Sequence, residues 1–199
     1  MSVTARSITL CVLVSLMLVA CGSSPPVRYY TLSTVGSAPG PDADDAIILG
    51  FGPLGIPEYL NRSQIVTRGA GAEMLVDEYS RWAEPLGLSL HRVVSTNVDN
   101  LLDTAVVVAF PYDSVIRSQV NYRLLGDVSR FDADRSGQVV LELQWVISEV
   151  GSGIVVPPRR SRYEAQAARA GDPAAIAAAM NEALYLFSQD IASELAAVL

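Results

Sequence analysis

Between Asn121 and Ala167 three strand-like segments follow one another, Asn121 to Phe131, Gln138 to Glu149 and Ile154 to Ala167, and a long helix pattern comes directly after them. The separators, Asp132-Ala-Asp-Arg-Ser-Gly137 and Gly151-Ser-Gly153, hold the residues that tolerate tight turns, so the segments read as consecutive hairpins. Asp172 then stands as an N-cap and Pro173 as the first helical residue. Ile176, Met180, Leu184, Phe187, Ile191 and Leu195 recur behind them at intervals of three and four. A half-buried sheet and an amphipathic helix each need a partner for the apolar face. Together they predict an α/β fold: a single domain with a mixed β-sheet covered by helices, including a long C-terminal amphipathic helix.

The upstream half supplies further elements. Val27 to Thr31 is a short β-rich stretch, Ser33 to Asp45 a loop rich in Gly, Pro, Ser and Asp, and Ala46 to Phe51 a buried strand. Ser63 to Arg68 and Glu73 to Trp82 flank Gly69-Ala70-Gly71 as a hairpin, although the second arm also fits a helix. After Pro85 the spacing of Leu86, Leu90, Val93 or Val94, Asn97 and Leu101 predicts a helix, with His91 at the border of its apolar stripe. Ala105 to Phe110 is a continuous apolar run ended by Pro111, as in a central strand covered on both faces. Trp82, Tyr29 and Tyr30 read as core or cross-strand packing.

The N-terminus has a different layout. One cation, Arg6, precedes an uncharged apolar run from Ile8 to Ala20, the pattern of a secretory signal, in which Cys11 is a small hydrophobe. As a helix the run reaches about 20 Å, short of the roughly 30 Å hydrocarbon core of a bilayer. Gly22-Ser-Ser-Pro-Pro26 follows without a basic flank. Leu18-Val19-Ala20-Cys21 resembles the bacterial lipobox, in which the Cys takes a diacylglycerol thioether, cleavage occurs before it, and its new amine is acylated, with palmitate as a typical chain. Two or more acyl chains anchor stably where one is marginal. The expected organisation is a cleaved signal peptide over 1–20, the lipidated Cys21 and a tether over 21–28, and one folded domain over 29–199. Gly22 stands where lipoproteins retained in the inner membrane usually carry Asp, a resemblance that points to the outer membrane of a Gram-negative cell. The tether spans at most roughly 25 Å, and a domain of this size has a radius of gyration near 15 Å, about enough to stay beside its membrane and too little to cross a periplasm.

Composition narrows the function. The chain carries a net charge of -7 with no Lys, so phosphate backbones are repelled and nucleic acid is not expected as a partner. With Cys21 consumed by lipid and His91 alone, neither a zinc site nor a Cys-His nucleophile can be assembled, and no cofactor is expected. Gly50-Phe-Gly52-Pro-Leu-Gly55 matches a dinucleotide fingerprint, but Pro53 and Pro57 remove donors and an extended segment follows, so it reads as a turn. Asp132, Asp134, Ser136 and Gly137 match the start of a calcium loop, yet Leu143 occupies the place of the bidentate Glu, and a hairpin turn fits better. His91 has no Ser or carboxylate arranged for it and reads as a partly exposed helix histidine. Arg159, Arg160 and Arg162 are candidate contacts to an acidic partner or lipid headgroup, or else a solvated face guarding a strand edge. With no catalytic constellation, the chain reads as a binding or assembly protein rather than an enzyme.

Several stretches, in this order and spacing, resemble the auxiliary lipoproteins of MCE-type, ABC-transporter-linked intermembrane lipid transport, the PqiC/YmbA-like family. They are Tyr29-Tyr-Thr-Leu32, Pro57-Glu-Tyr-Leu60 followed by Arg62 and Gln64-Ile-Val-Thr-Arg68, Arg81-Trp-Ala-Glu-Pro-Leu86, Tyr122-Arg-Leu124, Phe131, and Asp190-Ile-Ala192 in the last helix. The resemblance implies a mixed-sheet α/β domain on the outer membrane facing the periplasm. It also implies an MCE-domain partner reaching from the inner membrane, indirect association with ABC transporter subunits, and a role in envelope integrity. It carries over no catalytic residue; only Cys21 has a defined role. The competing reading is a free-standing envelope lipoprotein, either an assembly factor or a carrier of hydrophobic ligands. The Ala-rich side of the last helix fits close helix packing or contact in a homo-oligomer.

Overall fold

The computed structural model describes residues 25–36, 47–102 and 104–199. The signal segment, Cys21 and most of the loop expected over Ser33 to Asp45 lie outside the described residues. In chain order the elements are β1 (Arg28–Tyr30), β2 (Ile47–Gly55), a 3-10 turn (Glu58–Leu60), β3 (Gln64–Arg68), β4 (Met74–Trp82), α1 (Leu86–Leu101), β5 (Ala105–Ala109), α2 (Ser114–Gln119), β6 (Tyr122–Ala133), β7 (Gln138–Glu149), β8 (Gly153–Gln166) and α3 (Pro173–Val198). The strands form one mixed sheet with the two long helices, α1 and α3, in one layer on the same side, the α/β domain that the sequence predicts. Among the described residues no helix is long and apolar enough to cross a membrane.

The trunk of the sheet is β6. One of its edges carries antiparallel β7 from Tyr122 to Ala133, and β8 continues beyond, so the two expected hairpins form. The opposite edge is shared: parallel β2 takes Tyr122 to Asp127, with β5 outside it, while β3 meets β6 only at the pair Thr67↔Ala133 and brings β4 and β1 with it. The sheet forks where β6 is bulged between Val128 and Arg130. Gly126 is needed at the trunk. A Cβ there would strike the Gln144 carbonyl oxygen and come within 3.1 Å of Trp145 Cα, both backbone atoms that cannot turn aside. Gly126→Ala is expected to cost about 1–3 kcal/mol of stability by overpacking, read from the denaturant midpoint.

α3 lies over β7 and β8, α1 over β2 and β5, and the two helices pack against each other. Ala177, Ala179, Ala183 and Ala192 are buried, so the small side of α3 serves close packing within the domain. The predicted stripe of α1 is buried through Leu86, Leu90, Val93, Val94 and Asn97.

Four expectations change. Ala105 to Phe110 supplies β5, which is an edge strand and not a central one: among the described residues it pairs with β2 alone, and beyond Ala105 its residues are only partly buried. An apolar run records cover over the faces of a strand and says nothing of its hydrogen-bonding edges. Gly50 to Gly55 is not a turn but the second half of β2, where Gly52, at φ +97°, sits in a bulge that shifts the register between Phe51 and Leu54. A Cβ on Gly52 would lie 3.2 Å from His91 Nε2, and this close approach explains the glycine. Tyr29 is not packed; it is 64% exposed, while Trp82 is buried and Tyr30 packs against the core. The arm Met74–Trp82 is a strand, which settles the helix alternative. The fourth change concerns His91 and is described with its surroundings below.

Candidate interaction surfaces

Asp132 holds the fork together. Its side chain is fully buried, and the carboxylate accepts from Arg68 Nε (3.1 Å) and Nη2 (2.8 Å), Arg130 Nε (3.0 Å) and the Tyr59 hydroxyl (2.9 Å). The 3-10 turn, β3 and β6 therefore meet on one carboxylate. Burial, and after it the Asp132 bond and charge, push the Tyr59 phenol up to about 12, so it remains a donor at any physiological pH. The calcium-loop pattern dissolves in this geometry. Asp132 belongs to β6 and is satisfied by arginines, whereas Asp134 Oδ1 accepts from the Ser136 and Gln138 amides and Gly137 turns at φ +82°, the hairpin turn expected. Among the described residues no group of three or more His, Cys, Asp or Glu could hold a metal ion.

A second node ties the start of the fold to α1. Arg92 Nη2 lies 2.5 Å from Glu84 Oε1 and donates to the Leu32 carbonyl at 3.0 Å, while Thr31 and Ser89 donate to the same Glu84 oxygen. The hydrogen bond from Arg92 holds the Glu84 carboxyl below its ordinary range. Tyr163 donates to Asp190 at 2.6 Å, joining β8 to α3. Tyr59, Arg68, Leu32, Glu84 and Asp190, quoted above for their family pattern, thus make contacts between elements rather than a reaction centre. Sequence reading had no signal for Asp132, Arg92 and Tyr163 as their partners, because every pair except Glu84 with Arg92 is more than twenty-five residues apart.

His91 is buried, not partly exposed. Its Nε2 accepts from the Leu54 amide at 2.8 Å, and its ring stands edge-on to Phe51 (6.1 Å) and Phe110 (6.3 Å). The bulge in β2 brings Leu54 N–H under the helix, a contact that helical spacing could not reveal. Burial lowers the imidazole pKa below its ordinary value, so the folded protein holds it neutral where the unfolded chain takes up a proton. Stability from this site is complete above the unfolded pKa of about 6.5 and declines as pH falls below it. Between pH 7 and pH 5 the denaturant midpoint of the wild type should fall more than that of His91→Gln, which can accept from Leu54 without titrating.

The arginine run divides between two faces. Arg159, opposite Trp145, turns toward the helices and pairs with Glu194 of α3 at 2.8 Å. Arg160 and Arg162 stand on the open face opposite Gln144 and Glu142. There they line an open depression of about 470 Å³ with Asp127 and Ser129. Arg162 pairs with Glu142 and Glu164. With the Gln144 amide turned so that its oxygen faces the guanidinium, it accepts from Arg160 Nε at 2.7 Å. Arg162→Ala should leave the thermal midpoint unchanged, since exposed ion pairs contribute little.

A two-layer α/β domain with a forked mixed sheet, cross-tied by buried and half-buried ion pairs and without a reaction centre among the described residues, is the class that this geometry defines. Residues 30–192 match the family described as ABC-type transport auxiliary lipoprotein component, and the chain belongs to that family. It is a family of transport-associated lipoproteins, and so of the cell envelope, and not an enzyme family. The fold is similar to that of an uncharacterized protein of known crystal structure, with 19% identity and a TM-score of 0.70, covering 86% of this chain and 99% of that one. It is also similar to a protein from Xanthomonas campestris, with 20% identity and a TM-score of 0.60, covering 83% and 91%. No curated protein matches the sequence.

Proposed function

We propose that the protein is the accessory lipoprotein of an MCE-type, ABC-linked intermembrane lipid transport system. In this reading acyl chains on Cys21 hold it in the outer membrane facing the periplasm, and it docks the MCE-domain protein that reaches across from the inner membrane, so maintaining envelope integrity. The observation that carries the reading is the family match over 30–192 in a chain whose first strand starts seven residues after the lipobox Cys21. A domain with a radius of gyration near 15 Å on so short a tether works at a distance only through a longer partner. Arg160, which lies against an amide rather than a carboxylate, is the member of the arginine run best placed to meet an acidic partner.

Crosslinking in native membranes followed by co-purification should recover the MCE-domain protein with the wild type. Cys21→Ser should leave the membrane fraction and lose that association. Recovery of the lipoprotein from membranes without any MCE partner would instead favour a free-standing envelope role.

A further inference from the structure

We propose that the corner of the sheet where the chain enters the fold is an interfacial seat, in which Val27, Tyr29 and Tyr79 lie in the headgroup layer of the membrane that bears the anchor. This rests on the lipidation of Cys21 put forward above. Among the described residues β1 is the outermost strand of its arm and β4 is its only neighbour in the sheet order. This corner carries three exposed apolar side chains: Val27 is 39% exposed, Tyr29 64% and Tyr79 45%. Tyr79 also lines an open depression of about 310 Å³ together with Pro25, Pro26 and Arg28, so it stands directly beside the segment arriving from Cys21.

The length of that segment selects the occupant. Six residue steps separate Cys21 from Val27, which at 3.3–3.6 Å each is about 20 Å when fully extended, and Pro25-Pro26 holds part of it extended. An acyl-anchored Cys21 therefore keeps Tyr29 within a few tens of ångströms of the lipid, whatever else the domain does. Tyrosine suits the headgroup layer because its ring is apolar and its hydroxyl stays hydrated. Arg28 has no ion-pair partner among the described residues and can meet lipid phosphate. The nearby Asp77 carboxylate is engaged by the Tyr79 and Ser80 amides, which moderates repulsion by an anionic surface. Lipid also covers an edge strand that would otherwise invite pairing with another chain. α3 starts at Pro173 on this depression and pairs through Glu194 with Arg159 of β8, about 30 Å along the helix, so the β7–β8 end of the domain is held away from the seat.

The test uses the acylated full chain in vesicles of phosphatidylethanolamine and phosphatidylglycerol with bromine near the headgroup end of the acyl chains. Tyr29→Trp adds emission over the buried Trp82 and Trp145, whose contribution the wild type supplies for subtraction. The added emission should be quenched, as expected of a ring in the headgroup layer. Ile154→Trp, at the far end of the β7–β8 hairpin, should keep its emission. Unquenched Tyr29→Trp in a chain that co-sediments with the vesicles, or equal quenching at both positions, overturns the seat and leaves the anchor standing. A chain without acyl mass on Cys21 that fails to co-sediment overturns the anchor and the seat together.

Discussion

Asp132→Ala should lower the unfolding free energy by about 3 kcal/mol, because removal of one partner from a buried ion pair leaves the opposite charge uncompensated. The carboxylate is fully buried and satisfies two guanidinium groups and one phenol. Arg68 and Arg130 are 30% and 20% exposed, so water can recover part of their solvation, and this holds the loss to the lower end of the usual range. Tyr59→Phe removes one of these bonds and should cost about 1 kcal/mol. The effect should also be uneven across the sheet. β3 meets β6 by a single register pair, so the arm of β3, β4 and β1 depends on this node, whereas β6, β7 and β8 are paired along their length. Amide exchange in Gln64–Arg68 should accelerate in Asp132→Ala well before exchange in Leu141–Ile147. Uniform acceleration, or a midpoint equal to wild type, would show that the node does not hold the fork.

The elements that could be read from the sequence were those whose signal is local and periodic. The hairpins of β6, β7 and β8 follow from turn residues between alternating runs, and α3 follows from Asp172, Pro173 and a stripe that never breaks phase. Asp172 indeed accepts from the Ala174 amide. What escaped was decided by neighbours far along the chain. An apolar β5 does not state that only β2 will lie beside it, and the glycines of β2 imitate a loop because His91 and Phe110 crowd its bulge from other elements. α2 went unnoticed because six residues are too few for a period to emerge, although Asp113 caps it by accepting from the Ile116 amide. The interaction residues divide in the same way. Tyr59, Arg68, Glu84 and Asp190 were visible as a pattern, but their meaning as cross-ties appears only when Asp132, Arg92 and Tyr163 are brought to them. Arg159, Arg160 and Arg162 were visible as a run, and strand alternation then sent them to opposite faces.

Phe187→Ala should be the most damaging single truncation in the helical layer, with a loss of about 3–5 kcal/mol by removed burial and residual cavity. Phe187 is fully buried on α3, edge-on to Trp145 of β7 at 5.8 Å and tilted against Tyr163 of β8 at 5.7 Å. The alanines that let α3 lie close to its neighbours leave few large side chains there to move into the vacated space, so the cavity should persist. Leu186, one position away and 36% exposed, provides the comparison: its truncation to alanine should change stability by about 0.5 kcal/mol or less. Paired denaturant titrations decide the matter, and similar midpoints for the two variants would mean that α3 is held by the Tyr163–Asp190 and Arg159–Glu194 ties instead of by its aromatic contact. The distinction matters because α3 begins beside Pro25 and Pro26 at Pro173 and ends near Glu194 and Arg159, so it links two ends of the domain. A helix fixed by packing holds the corner of the sheet at Pro173 and the end of the domain at Glu194 in one rigid body.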